Sequence, residues 1–142
     1  MKELINKLVT ELLETLSNSP DKDRYLLGIT GCPAAGKSML AGKLTDEINF
    51  RTGDDLAAVV PMDGFHLPNS ILKKRGLTKV KGAPETFDAG SFVELINQLY
   101  EFPDRSIMCP AYDRKIHDPV ENFITIKPGN RLIIVEGNYL LL

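Results

Sequence analysis

Residues 31–38 read Gly-Cys-Pro-Ala-Ala-Gly-Lys-Ser, which fits the pattern G-x-x-x-x-G-K-[ST]. Each fixed position answers a physical need. Glycine allows positive φ, so that successive backbone amides can turn around an anion. A helix starting at the end of the motif aims its free amides and its dipole at the same anion. The lysine adds a point charge for outer phosphates, and the serine hydroxyl is an oxygen ligand for magnesium. The pattern works only between a strand and a helix, and its flanks supply both. Tyr25–Thr30 is a short apolar run that reads as a buried strand, and from Lys37 onward Leu40, Leu44 and Ile48 mark a helix.

The rest of the chain extends this alternation. Leu4, Leu8, Leu12 and Leu16, flanked by Ile5, Val9 and Leu13, form one apolar face of an N-terminal helix. Asn18, Ser19, Pro20 and Asp21 stop it. Arg51–Asp55 reads as a polar loop. Leu56–Met62 reads as a second buried strand with Pro61 at its end. Asp63 to Asp88 is long, polar and rich in Gly and Pro, a stretch of the kind that is usually functional or mobile, with a short helix expected near Pro68–Arg75. Ser91 and Glu94 have capping-box spacing, which predicts a helix over Ser91–Tyr100. Ser106–Pro110 and Phe123–Ile126 read as further strands and Pro128–Asn130 as a turn. Arg131–Glu136 is apolar enough to be buried on both faces. Strands alternating with helices predict an α/β fold, a three-layer P-loop NTPase arrangement around a mainly parallel central sheet. With 142 residues the chain suits one domain over residues 1–142, with residues 1–20 as its N-terminal helix.

Ligands of open α/β sheets bind beyond the carboxyl ends of the strands. Two carboxylates stand there: Asp63 after the second strand and Glu136 at the end of the last. Glu136 and Ser38 are the candidate magnesium ligands, since magnesium favours oxygen donors and keeps several waters. Asp63 is the candidate base for an acceptor hydroxyl. A carboxylate is a weak base, which suffices where proton transfer is late in a loose phosphoryl-transfer transition state. The candidate nucleotide site is Gly31, Cys32, Pro33, Ala34, Ala35, Gly36, Lys37 and Ser38, with Met39 beside them, and its ligand is ATP with Mg2+.

Composition narrows the remaining classes. A net charge of −2 argues against a nucleic-acid partner. The basic residues Lys73, Lys74, Arg75, Lys79 and Lys81 suit either a solvated loop or a phosphate-facing patch. Cys32 and Cys109 make no C-x-x-C motif, and a disulfide at Cys32 would obstruct the phosphate loop, so a reducing cytoplasm is expected. No apolar run is of membrane-spanning length, so no membrane partner is expected. A homodimer stays open as an assembly.

Five segments in order resemble the superfamily of uridine kinase, phosphoribulokinase and bacterial pantothenate kinase. They are the phosphate loop, Met62-Asp-Gly-Phe-His66, Lys81-Gly-Ala-Pro-Glu-Thr-Phe-Asp88, Pro110-Ala-Tyr-Asp-Arg114 and Ile134-Val-Glu-Gly137. The second and third look closest to its pantothenate kinase-like and uridine kinase-like branch. The resemblance covers Tyr25 to the end. It implies Asp63 as the catalytic aspartate together with Lys37. It also implies that Asp63, Phe65, His66, Lys81, Tyr112, Arg114 and His117 surround a small-molecule acceptor, with Lys81 and Arg114 holding acceptor or phosphate oxygens. The expected activity is ATP-dependent phosphoryl transfer to a hydroxyl of a nucleoside, a pantothenate-like acid or a sugar. The family continues into an arginine-bearing lid and a last strand. Neither is in this sequence, and Leu140–Leu142 ends in apolar residues. A C-terminally shortened chain is therefore the expectation, with a nucleotide-binding module of little catalysis as the alternative.

Overall fold

A computed structural model describes residues 1–19, 23–32 and 35–140. The element order is α1 (Lys2–Ser17), β1 (Tyr25–Thr30), α2 (Lys37–Thr52), β2 (Ala57–Pro61), α3 (Asn69–Lys74), α4 (Ala89–Glu101), β3 (Ile107–Asp113), β4 (Asp118–Ile126) and β5 (Leu132–Gly137), with 3-10 turns at Met62–Phe65, Thr78–Val80 and Pro84–Thr86.

β5 lies at the centre of a parallel sheet of order β1-β5-β2. Its apolar sequence is the reason: all six of its residues are buried, as a strand covered on both faces requires. Side chains alternate between the faces. Leu132 and Ile134 pack with Ala41, Leu44 and Ile48 of α2 and with Ile5, Val9 and Leu16 of α1. Ile133 and Val135 pack on the other side with Phe92, Leu95 and Leu99 of α4 and with Cys109 and Ile126 of β3 and β4. The three-layer α/β arrangement with a parallel sheet, expected from the alternation of strands and helices, is the one observed. Burying each such Leu or Ile contributes about 1.5–3 kcal/mol.

Several details differ from the sequence reading. In α1 the buried stripe is Ile5, Val9 and Leu16, while Leu4 is 49% exposed, so the helix turns the neighbouring edge of its apolar face inward. The helix ends at Ser17 with Asn18 as C-cap; Pro20 and Asp21 of the expected stop signal lie outside the described residues. α4 begins at Ala89 rather than Ser91. Asp88 is its cap, accepting the Ser91 backbone N–H at 3.1 Å on Oδ1 and the Ser91 hydroxyl at 2.7 Å on Oδ2. The expected strands at Ser106–Pro110, apart from Ser106, and at Phe123–Ile126 are parts of longer strands, β3 and β4. These pair with each other as an antiparallel hairpin separate from the main sheet.

The segment from Asp63 to Asp88 is ordered by its own contacts. Leu67 N–H donates to Thr86 O at 2.8 Å and Asp88 N–H to Phe65 O at 2.7 Å, so its two ends run side by side. Thr86 is fully buried; its hydroxyl donates to Ala83 O at 2.6 Å and accepts from Gly82 N–H at 3.0 Å. Among the described residues no helix is long and apolar enough to cross a membrane.

Candidate functional site

Register places the carboxylates. Glu136 on the central strand stands level with Ile29 of β1 and Pro61 of β2. β1 runs on into the glycine-rich loop and β2 into the 3-10 turn that carries Asp63. Both carboxylates therefore reach the same edge of the sheet as Lys37 and Ser38, as parallel strands demand.

In the phosphate loop Gly36 is left-handed, with φ 87°, and forms the N-cap of α2; a side chain there would be strained. Leu40 N–H already bonds Gly36 O at 2.9 Å. Lys37 Nζ donates to Cys32 O at 2.8 Å, closing the loop on itself. Gly31, Cys32, Ala35, Lys37 and Ser38 occupy the expected turn, and Met39 is 60% exposed in the first turn of α2. Pro33 and Ala34 of the expected nucleotide site lie outside the described residues.

Ser38 Oγ donates to Glu136 Oε1 at 3.0 Å. Glu136 is 5% exposed, and burial pushes its pKa up from the ordinary carboxylate value. The Asp63 carboxylate adds to the rise, while the Ser38 hydrogen bond and the charges of Lys37 and Arg114 oppose it. The charges that act on Glu136 thus include three of the residues singled out from sequence, drawn from separate elements. Among the described residues no three of His, Cys, Asp and Glu gather into a metal cluster. A magnesium site needs no such cluster, because one or two carboxylates plus waters and substrate phosphates suffice. The hydroxyl–carboxylate pair Ser38–Glu136 offers the hard oxygen donors that this cation takes.

Next to Asp63 a cavity of about 360 Å³ is lined by Asp63, His66, Lys81, Tyr112, Arg114 and His117. These are six of the seven residues expected around an acceptor. Phe65 is not among them: it is buried in the core with its ring edge-on to Phe92, centroids 5.2 Å apart. Asp63 and Phe65 sit two apart in one tight turn and so serve opposite sides of it. His66 Nδ1 is 2.8 Å from the Asp63 carbonyl oxygen. A carbonyl only accepts, so this contact calls for a proton on Nδ1. The His66 ring lies tilted against those of Phe87 and Tyr112, with centroids at 4.1 Å and 4.9 Å.

Lys81 does part of its work inside the protein. Its Nζ donates to Asn69 Oδ1 at 2.7 Å and to His117 O at 2.6 Å, and sits 5.0 Å from the Tyr112 ring centroid. Tyr112 lies in β3, Arg114 follows it, and His117, with φ 52°, closes the β3–β4 turn. Asn69 escaped the sequence reading, and nothing in its spacing distinguishes it; only the fold brings it against Lys81 and His117.

This architecture, with a glycine-rich loop feeding a helix and an acidic residue ending the central strand, is that of a P-loop kinase fold. No family model matches the chain. It is 38% identical over 144 residues to a Schizosaccharomyces pombe protein provisionally named a uridine kinase, covering 99% of this chain and 58% of that protein. It is 32% identical over 124 residues to the pantothenate kinase of Ligilactobacillus salivarius, covering 87% of this chain and 40% of that protein. The crystal structure of a Silicibacter sp. TM1040 protein, provisionally named a fructose transport system kinase, superimposes with a TM-score of 0.84 at 38% identity over 96% of this chain and 64% of that one. The chain thus spans less than two thirds of the length of these relatives. It belongs to the P-loop kinase superfamily of uridine kinase, phosphoribulokinase and bacterial pantothenate kinase, in the pantothenate kinase-like and uridine kinase-like branch.

Proposed function

We propose that this chain transfers the γ-phosphoryl group of ATP to a hydroxyl of a small metabolite. The observation that carries the reading is the cavity at Asp63, which opens on the same rim of the sheet as Lys37, Ser38 and Glu136. Its volume suits a small-molecule ligand.

In this reading the backbone amides at Gly31–Ser38 and the N-terminus of α2 hold the triphosphate, and Lys37 lends its charge to the outer phosphates. Ser38 and Glu136 would hold magnesium, which would supply positive charge against the phosphates. Asp63 accepts the hydrogen bond of the acceptor hydroxyl and orients it. The acceptor oxygen forms its bond to the γ-phosphorus as the bond from that phosphorus to the β,γ-bridging oxygen breaks. ADP leaves with the electron pair, and the hydroxyl proton passes to Asp63 and on to solvent. Arg114, whose charge already acts on Glu136, offsets negative charge at the same rim.

Asp63→Asn tests the assignment. Acceptor-dependent ADP release should fall by about 10²–10⁴-fold, with ATP affinity within about twofold of the unaltered chain. A variant that keeps most of its rate would remove Asp63 from the chemistry. ATP binding with no acceptor-dependent ADP release from any metabolite would favour a nucleotide-binding module instead.

A further inference from the structure

The cavity beside Asp63 is unevenly charged. Two cations, Lys81 and Arg114, line it against the single carboxylate of Asp63. Among the described residues ion pairs join Arg51 to Glu47 and Lys127 to Asp55, and none engages Lys81 or Arg114. The acids of the hairpin turn are occupied by backbone: Asp113 Oδ1 accepts Lys115 N–H at 2.8 Å and Asp118 Oδ1 accepts Asn69 N–H at 3.0 Å.

Lys81 is only partly exposed, and its two hydrogen-bond acceptors, Asn69 Oδ1 and His117 O, are both neutral. Asn69 is itself fixed, because its side-chain amide donates to the same His117 carbonyl at 2.8 Å. The ammonium is therefore held at one place in the cavity wall, with one N–H in reserve. A carboxylate there would add the attraction of opposite charges to the hydrogen bond, which a neutral hydroxyl cannot do. With Arg114 assigned to the charge of the transferred phosphoryl group, one lysine N–H beside Tyr112 is left for the acceptor, which suits a monoanion; a phosphate dianion usually draws on more donors.

We infer that the acceptor is a small hydroxy acid whose carboxylate seats on Lys81, held in place by Asn69, while its hydroxyl reaches Asp63. The inference deepens the kinase reading and rests on it for the role of Asp63; the seat at Lys81 stands on the contacts above.

Binding to the full chain, read by titration calorimetry without turnover, tests it. The probes are D-glycerate against its methyl ester and against glycerol 3-phosphate, and pantothenate against panthenol, its neutral alcohol. At least one acid should bind tenfold or more tighter than its neutral counterpart. Lys81→Met should shrink that ratio to about twofold or less. Equal binding of acid and neutral compound, tighter binding of the phosphate, no binding of either acid, or a ratio that survives in Lys81→Met overturns the inference. The comparison of ligands on the unaltered chain decides alone if the lysine variant does not fold. An acid that binds but never accelerates ADP release sinks the kinase reading and leaves the seat intact. ADP release driven only by neutral sugars or nucleosides does the reverse.

Discussion

Gly64 lies so close to β3 that a Cβ there would stand 2.3 Å from the Pro110 carbonyl oxygen and 3.0 Å from Ala111 Cα. Gly137 is similar: its Cβ would meet Met62 Cβ at 2.6 Å. Each glycine directly follows one of the two carboxylates, and each close contact pins that carboxylate to another element. At Gly64 the opposing atoms are backbone, so no side chain can swing aside. Gly64→Ala must then push the Asp63 turn away from the hairpin that carries Tyr112 and Arg114. Such overpacking costs about 1–3 kcal/mol, which urea unfolding should show as a lower midpoint at unchanged slope. Acceptor binding should weaken while ATP binding holds, since the atoms that a Cβ at Gly64 would meet belong to the hairpin. Equal weakening of both ligands would mean that the substitution loosens the whole sheet edge. The residues Asp63 and Glu136 were legible in sequence because each stands at the carboxyl end of an apolar strand. The steric role of the glycines was not, because it depends on strands far away in the chain.

Between elements, Arg24 does what no motif announces. It is 3% exposed, and its five guanidinium N–H groups meet five backbone carbonyls. Leu99 and Phe102 belong to the end of α4, Arg105 to the approach to β3, and Lys127 and Asn130 to the turn between β4 and β5. Burial pushes the guanidinium pKa down, with Cys109 and Asp104 opposing, so the fold tolerates a costly buried cation in order to close three chain ends at once. Arg24→Met should cost about 3–5 kcal/mol, the range for stripping one side of a buried polar set. Arg24→Lys should recover little, because an ammonium has three donors and no planar fork. Unfolding midpoints of the two variants check this, and a lysine variant as stable as the original would contradict it. At this scale β5 was readable because an unbroken apolar run specifies a central strand. The hairpin was read only in pieces. β4 is half-exposed, begins Asp-Pro and includes Glu121 and Asn122, so only its final Phe-Ile-Thr-Ile carries an apolar signal. The cavity residues came from a family resemblance, and Phe65 was drawn in with them because it sits inside the same short motif as Asp63.

Over the whole molecule the sheet separates two apolar layers and leaves the chemistry on one rim, and the two free cysteines sample these regions separately. Cys32 is exposed in the phosphate loop, and Cys109 is fully buried in the layer beneath α4. Burial pushes the Cys109 thiol up to about 11 from 9.0, against the opposing charge of Arg24. In the pH window between those values the unfolded chain has released this proton and the folded chain has kept it. The folded state then binds more protons, so stability falls as pH rises from about 9 toward 11. Cys109→Ala should flatten that fall without changing the acid side of the profile. At pH 8 iodoacetamide should modify Cys32 quickly and Cys109 only through opening of the core, at a rate that follows global stability measured in urea. ATP with magnesium should slow the Cys32 reaction, since the loop that carries it is the proposed phosphate seat, and should slow Cys109 only as far as it stabilises the fold as a whole. Rapid labelling of Cys109 in chain that unfolds cooperatively would show that the hairpin and α4 open away from the sheet on their own. The acceptor cavity, which borrows Tyr112, Arg114 and His117 from that hairpin, would then be assembled only part of the time.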